Sequence, residues 1–210
     1  MKQRLWIKHS DIKYLITFLL ISTAITSTAG YLSLYPIENK VSMAMAVLDS
    51  NGLALHYFPN NSPNVRPGEQ INWTLSVYNQ MGTITYAVIR VKLLNASLSG
   101  PNDTTLTPSP VQSILEFRHI LLNNETWSTN FAWRIDNLTA AGNSVNISNL
   151  TINGISYFGT LASALGGRNF RFVFELWLLN PTTNQLVFSG YSQDAPNPVW
   201  DQVWYNAMEV

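Results

Sequence analysis

Hydrophobic residues recur at every second position over long parts of this chain, and this alternation restricts the fold more than any other feature. In QINWTLSVYN, Gln70 to Asn79, apolar side chains alternate with Asn, Thr and Ser. TITYAVIRVKLL, Thr83 to Leu94, and FRFVFELWLL, Phe170 to Leu179, alternate in the same way. A period of two places successive side chains on opposite faces of a β-strand. The pattern predicts three strands, of which the last, the most apolar, is expected at the centre of a sheet.

Further strands are predicted between short turn motifs, and Gln80-Met81-Gly82 is predicted to form a hairpin turn. Seven or eight short strands separated by turns are typical of a β-sandwich, so the predicted fold is an all-β antiparallel sandwich. The additional predicted strands are Val41–Leu48, Leu53–Phe58, Ile114–Leu121, Trp127–Ile135 and Gln185–Tyr191.

The segment 136–168 is rich in Asn, Ser and Gly and lacks clear alternation. We expect it to form an enlarged polar insertion, with an extra hairpin and a short helical turn around Gly159–Leu165. No internal repeat or coiled-coil heptad is found in the sequence. Residues 36–210 are therefore predicted to form one enlarged sandwich rather than two domains.

A run of 22 residues without a charge, Tyr14 to Tyr35, precedes the first predicted strand. About 20 apolar residues are enough for a helix to cross a bilayer, so residues 14–35 are predicted to form a single transmembrane helix. Four basic residues and one acid precede it, which predicts a cytoplasmic tail, residues 1–13, and an extracellular domain, residues 36–210, at the plasma membrane. The alternative is a signal peptide cleaved after Ala29, which would export the same domain.

The chain has no cysteine, and only 11% of its residues are charged. Disulfides, zinc–thiolate sites, iron–sulfur clusters and thiol catalysis are therefore excluded. The 12 basic and 12 acidic residues balance, so we expect no basic face that binds nucleic acid. A soluble domain carries about 25% charged residues. Another polar group must therefore keep this surface hydrated.

Eight Asn-x-Ser/Thr motifs, all between residues 60 and 151, are candidates for that group because each is an acceptor for N-linked glycosylation in an exported domain. We predict an N-glycosylated surface; the alternative is that these residues are ordinary turn and strand-face Asn. Many acceptors without any cysteine favour an archaeal cell-surface protein. The acceptors are Asn60, Asn72, Asn95, Asn102, Asn124, Asn137, Asn146 and Asn149.

Several short motifs follow one another in the first half of the exported part, and FELWLLN, Phe174 to Asn180, comes later. Together they resemble the ectodomain of an archaeal family of uncharacterised membrane proteins. The resemblance implies an Ig-like sandwich outside the membrane. Members of that family typically carry several spanning helices, whereas one is predicted here, so the role of their membrane part is not carried over. The earlier motifs are Leu48-Asp49-Ser50-Asn51-Gly52, Tyr57-Phe58-Pro59, Pro67-Gly68-Glu69, Val77-Tyr78-Asn79, and Tyr86 followed by Val88, Arg90 and Leu93.

Residues that could carry catalysis or bind a metal are scattered, and we expect no catalytic residue, no cofactor and no metal. A copper site that combines His56 and His119 with a methionine is the alternative, because thioethers bind Cu(I). No Gly-x-Ser-x-Gly elbow occurs. Glu175 is expected to be solvated or to form a salt bridge. The methionines that could join the copper site are Met43, Met45 and Met81. The carboxylates that could form a catalytic pair with Glu175 or with each other are Glu116, Glu125 and Asp136, and the sequence gives no reason to pair any two.

Aromatic residues near the C-terminus are the strongest candidates for a binding surface. Trp200, Trp204 and Tyr205 lie in the segment WDQVWY, and no glycosylation motif occurs in residues 152–210. Large aromatic side chains concentrate at interface hot spots, so we predict that these three contact a protein partner. Their alternative role is to fill the core as the last strand.

The sequence therefore predicts a non-catalytic, membrane-anchored, N-glycosylated accessory or structural subunit of a surface or membrane-protein assembly. The alternative is a surface module that binds glycans or other ligands. A metal-dependent enzyme fragment is a less favoured alternative.

Overall fold

The computed structural model divides the chain into two units, Met1–Asn39 and Lys40–Val210. In the first unit, the helix α1 spans His9–Leu34. Its segment Ile12–Tyr31 is long and apolar enough to cross a membrane, a property that a membrane span shares with a signal sequence. The residues that the structure describes are 9–34, 41–188, 190–192 and 195–208.

The second unit consists mainly of β-strands. Its described residues also include one turn of 3-10 helix, Pro59–Asn61. The strands are β1 (Ser42–Leu48), β2 (Asn64–Val65), β3 (Ile71–Gln80), β4 (Thr85–Asn95), β5 (Leu115–Leu121), β6 (Thr126–Ala141), β7 (Ser144–Ile152), β8 (Ile155–Leu165), β9 (Phe170–Asn180), β10 (Gln185–Val187), β11 (Gly190–Ser192), β12 (Ala195–Asn197) and β13 (Val199–Ala207).

Most of these strands form two sheets. Sheet I has the strand order β1-β3-β6-β7-β8, and sheet II has the order β2-β13-β9-β4-β5, with β10 paired to β9. The pairs are antiparallel except for β13 with β2. Hydrophobic side chains from both sheets form one core. The second unit is therefore a β-sandwich, as the sequence predicted.

The alternation in the sequence sets which face of each central strand points inward. In β3, every second residue from Ile71 to Asn79 is buried, whereas Asn72 is exposed. In β9, every second residue from Phe170 to Leu178 lies in the core. The strand β9 lies between β13 and β4, which confirms its predicted central position.

Trp73 on β3 lies among the aromatic rings that fill the core. Its ring centroid is 5.3 Å from that of Trp133 and 5.9 Å from those of Phe131 and Phe172. Its indole Nε1 donates a hydrogen bond of 2.6 Å to the carbonyl oxygen of Tyr57. A buried N–H without a partner is costly, so this bond lets the largest side chain type occupy the interior.

The segment Leu53–Phe58 is not a strand, so this prediction is wrong. The Asp49 carboxylate accepts the backbone N–H of Leu53 at 2.9 Å, which closes a turn directly after β1. The aromatic pair at the end of the segment then packs edge-on against Trp73. Packing of these two half-buried rings against the core, rather than strand pairing, determines the path of the chain here.

The predicted hairpin at Gln80-Met81-Gly82 is also wrong, because the turn joins β3 of sheet I to β4 of sheet II. Asn79 explains the crossing. Its side chain is fully buried, and its Nδ2 donates to the carbonyl oxygens of Thr83 at 2.9 Å and Leu122 at 3.0 Å. These bonds fix the chain as it passes from one sheet to the other.

Two further predictions of local structure are corrected. The segment Gly159–Leu165, predicted as a helical turn, belongs to β8, and segment 136–168 contributes to three strands of sheet I. A register shift against β7 and a positive φ of 105° at Gly159 interrupt the alternation there. The predicted strand Gln185–Tyr191 is interrupted, since β10 ends at Val187 and β11 begins at Gly190.

We predict that Trp73→Ala lowers the free energy of unfolding by about 3–5 kcal/mol, because a large buried ring leaves a cavity between the sheets. Chemical denaturation measures the change. Ser76→Ala on the outer side of the same strand is the control, with an expected change within about 0.5 kcal/mol. Similar stability for the two variants would contradict the central position of Trp73.

Candidate interaction surface

The strand β13 carries the three predicted partner-binding aromatic residues, and its pairing with β9 sets the direction of each. In the antiparallel register, Trp200 lies opposite Glu175, Trp204 opposite Arg171, and Tyr205 opposite Phe170. Tyr205 therefore points to the opposite face of sheet II from Trp200 and Trp204. The structure does not place all three on one surface.

Tyr205 belongs to the core, with 1% of its surface exposed. Its ring centroid is 4.9 Å from that of Trp133 and 5.6 Å from that of Phe172. Burial raises the pKa of its hydroxyl well above the usual value. The hydroxyl oxygen is buried without a hydrogen-bond partner. The prediction of Tyr205 as a contact residue is therefore corrected, because β13 turns its ring toward sheet I.

Trp200 is half-buried and binds the long loop between β4 and β5, residues 96–114, which we call the cover loop. Its indole Nε1 donates a hydrogen bond of 2.6 Å to the carboxylate of Asp103. Trp200 therefore already contacts another part of this chain. A partner could reach only what remains exposed of its ring.

Trp204 remains open to contact, with 39% of its surface exposed. The guanidinium carbon of Arg171 lies 4.6 Å from its ring centroid, a cation–π geometry. Arg171 is held in turn by the Gln202 side chain at 2.7 Å and the Leu98 carbonyl oxygen at 2.6 Å. The contact fixes Trp204 before any partner binds, which lowers the entropy cost of using it.

A buried ion pair fixes the cover loop onto sheet II. Lys92 Nζ lies 2.8 Å from Glu175 Oε2, and their side chains are 5% and 0% exposed. The backbone of Ser109 closes the network: its N–H donates to Glu175 Oε1 at 2.7 Å, and its carbonyl accepts from Lys92 at 2.6 Å. Glu175 therefore forms the expected salt bridge. The sequence did not indicate that a loop would cover it.

The cover loop also explains why residues on the outer side of sheet II are buried. Leu94 and Val173 are 0% exposed although they alternate with core residues. Arg171 and Glu175, on either side of Val173 on the same face, both bond to the loop. Alternation alone predicts such positions to be solvated. A long polar loop that folds back onto a sheet has no periodic signal in the sequence, so this layer could not be predicted.

The glycosylation motifs are distributed over the sandwich, with Asn137, Asn146 and Asn149 on sheet I. Asn102 lies in the cover loop directly before Asp103, the hydrogen-bond partner of Trp200. The motif-free stretch 152–210 is therefore not a motif-free surface, because strand pairing brings other segments beside it. The exposed acceptors are Asn60, Asn72, Asn102, Asn124 and Asn137, and the half-buried ones are Asn95, Asn146 and Asn149.

The two histidines of the possible copper site, His56 and His119, lie in separate places. His119 on β5 stacks on Trp127 with ring centroids 4.9 Å apart and lies 3.4 Å from the Glu125 carboxylate. His56 lies in the loop after β1, where its Nδ1 contacts the side chain of Asn61. Within the described ranges, no group of three or more His, Cys, Asp or Glu residues is arranged to hold a metal ion. The three methionines of the possible copper site, Met43, Met45 and Met81, pack in or against the core.

The remaining carboxylates that could act in catalysis each have a bonded neighbour. Glu116 accepts from Arg90 at 2.8 Å and from Arg118. Burial raises the pKa of Glu116, but the hydrogen bonds from the two guanidinium groups outweigh it and lower the pKa overall. Asp136 pairs with Arg134 in the same way. Such pairing stabilises ionised carboxylates and does not provide a general acid.

No protein-family model and no curated protein matches the chain. Among solved structures, it is similar to the CARDB domain of a Pyrococcus furiosus protein in complex with di-metal ions, with 8% identity over 82% of this chain and 99% of that chain and a TM-score of 0.36. The C-terminal domain of wzt has 7% identity over 83% of this chain and 81% of that chain, with a TM-score of 0.34. A β-glucosidase from Listeria innocua in complex with glucose has 10% identity and a TM-score of 0.34 over 79% of this chain, which spans 16% of the enzyme.

We predict that Tyr205→Ala and Trp204→Ala differ strongly in stability. The first removes a core ring and should cost about 3–5 kcal/mol of unfolding free energy. The second removes a surface cation–π contact and should cost at most about 1 kcal/mol. Tyr205→Phe removes a buried hydroxyl that has no hydrogen-bond partner, so its melting temperature should be no lower than that of the natural chain. Thermal melting measures all three, and equal costs for both alanine variants would contradict the assignment.

Proposed function

We propose that this protein is a non-catalytic accessory or structural subunit of a surface or membrane-protein assembly. In this proposal an Ig-like sandwich is held outside the cell by a single-pass anchor and is N-glycosylated on its surface. Its protein partner binds at the outer side of β13. The observation that carries the proposal is Trp204, a partly exposed aromatic residue held in place by Arg171.

The anchor is supported by the way α1 satisfies its own polar groups. The hydroxyls of Thr17, Thr23 and Thr28 donate to backbone carbonyls four residues earlier, at 3.0, 2.7 and 2.9 Å. A hydroxyl bonded inside its own helix can lie in lipid without an unpaired donor. The basic residues before α1 in the sequence favour a cytoplasmic N-terminus.

The non-catalytic part is supported by how the sandwich uses its polar groups. Lys92 and Glu175 fix the cover loop, and Arg171 orients Trp204. These charged side chains have fixed partners within the chain, so the outer side of sheet II is a rigid surface. Rigid surfaces with an aromatic centre suit protein recognition, because little conformational entropy is lost on binding.

A surface module that binds glycans or other ligands is the second candidate, and a groove on sheet I favours it. The groove has a volume of about 430 Å³ and contains amide, hydroxyl and guanidinium groups but no aromatic ring. Such groups can hydrogen-bond the hydroxyls of a sugar. Its lining includes Gln70, Asn72, Asn130, Arg134, Thr151 and Ser156.

The test is co-purification of the natural chain and Trp204→Ala from native membranes after mild detergent extraction. Truncating an interface hot spot costs about 2 kcal/mol or more, which is about a 30-fold loss of affinity. We therefore expect Trp204→Ala to lose its partner while its melting temperature stays nearly unchanged. Phe158→Ala, an exposed aromatic residue on β8 of sheet I, is the control and should retain the partner.

Two results would contradict the proposed surface. Full recovery of the partner with Trp204→Ala would exclude this residue as a hot spot. Equal loss with Phe158→Ala would show that the effect does not depend on the outer side of β13. A chain that binds an oligosaccharide and recovers no protein would favour the second candidate.

A further inference from the structure

Phe158 on β8 is a large aromatic residue whose side chain is mostly exposed to solvent. With 74% of its surface exposed, it is the most exposed large hydrophobic side chain among the described residues of the sandwich. Its neighbour Tyr157 packs against the core, so Phe158 points to the outer side of sheet I. The strand β8 lies at the end of the strand order of sheet I. Exposed apolar residues on an edge strand promote aggregation unless something covers them.

Charge does not protect this edge. Residues 137–167 contain no Asp, Glu, Lys or Arg. By contrast, the strand β5 at the edge of sheet II carries Glu116, Arg118 and His119. Charged side chains are a common way of preventing unwanted strand pairing. The edge at β8 therefore depends on another form of cover.

The strand pairing places a glycosylation acceptor directly beside Phe158. Asn149 on β7 is the register partner of Phe158, and Asn137 on β6 is the register partner of Asn149. Directly opposite residues of an antiparallel pair have Cβ atoms about 5 Å apart and point to the same face. A sugar attached to Asn149 therefore starts on the same face of the sheet as the exposed ring and directly beside it.

The side-chain amide of Asn149 makes fewer hydrogen bonds within the chain than the amides of two other acceptors. Its Oδ1 is buried without a hydrogen-bond partner. By contrast, Nδ2 of Asn95 donates to the carbonyl oxygen of Ser163 at 2.5 Å, and Nδ2 of Asn137 donates to Ser148 at 2.9 Å. Modification of Asn149 therefore breaks no hydrogen bond of its side chain that the structure contains.

We propose that an N-linked sugar on Asn149 stacks on the ring of Phe158 and covers the outer edge of sheet I. This inference rests on the N-glycosylation in the proposed function. Attachment forms a bond between Nδ2 and the anomeric carbon of the sugar. It breaks the bond from that carbon to the phosphate of an activated sugar donor and releases one amide proton. The C–H groups on one face of a sugar ring are attracted to the electron-rich face of an aromatic ring, and stacking removes both from water.

The experiment is a double-mutant cycle on the full-length protein purified from its native host. Peptide mass mapping first measures the occupancy of Asn149. Thermal melting then compares Phe158→Ser in the natural background and in an Asn149→Gln background, which has no acceptor. We expect Phe158→Ser to lower the melting temperature by about 2–4 °C with the sugar present and to have no effect without it. Leu165→Ser is the control, because Leu165 is 72% exposed on the same strand next to the core residue Ala164 and pairs with Ser144 instead of an acceptor, so its effect should be the same in both backgrounds.

Two substitutions preserve the test if Phe158→Ser does not fold. Phe158→Tyr keeps the aromatic face and should melt like the natural chain. Phe158→Leu keeps an apolar strand residue without that face and should show the same sugar-dependent loss as Phe158→Ser.

The proposal is overturned in either of two ways. An unmodified Asn149 peptide excludes the sugar at this site, and an unmodified chain at all eight acceptors also removes glycosylation from the proposed function. A modified Asn149 with the same melting shift for Phe158→Ser in both backgrounds excludes stacking and leaves glycosylation standing.

Discussion

Packing of aromatic rings between the two sheets is the constraint on which the rest of this structure depends. Trp73, Phe131 and Phe172 form the middle of the core, and Trp133 and Tyr205 extend it toward β13. Inward positions of the central strands are occupied by side chains, so chemistry that involves a partner must use outer faces, edges or loops. The aromatic core also decides the role of Tyr205, because the ring that fills this space cannot bind outside it.

The second constraint is the burial of charge on the outer side of sheet II. Lys92 and Glu175 are both buried, and removing one of them would leave an uncompensated charge. Their joint contact with Ser109 fixes the cover loop, and the loop carries Asp103 and Leu98 to Trp200 and Arg171. The orientation of Trp204 therefore depends on a chain of contacts that begins at a buried ion pair.

The sequence predicted the sandwich because alternation in β3, β4 and β9 reflects burial on one face, and a period of two matches the geometry of a strand and not that of a helix. It could not predict what folds over the outer faces. Glu175 lies on the side opposite the apolar face, as the alternation predicts, but its burial requires a loop that starts more than 60 residues earlier in the chain. Alternation along a strand separates Tyr205 from Trp200 and Trp204, but only the position of β13 beside β9 shows that the face with Tyr205 is the one that points into the core. The neighbours Asn149 and Phe158 lie on different strands, with a register shift near both, so their proximity had no signal in the sequence.

The proposed topology, an anchored sandwich outside the cell, can be tested directly because the chain has no cysteine. Single cysteines at Ser10, near the start of α1, and at Ser128, exposed on β6, can be labelled in intact cells with a membrane-impermeant maleimide. We predict that Ser128→Cys is labelled in intact cells and that Ser10→Cys is labelled only after lysis. Labelling of Ser10→Cys in intact cells, or protection of Ser128→Cys until lysis, would contradict this topology.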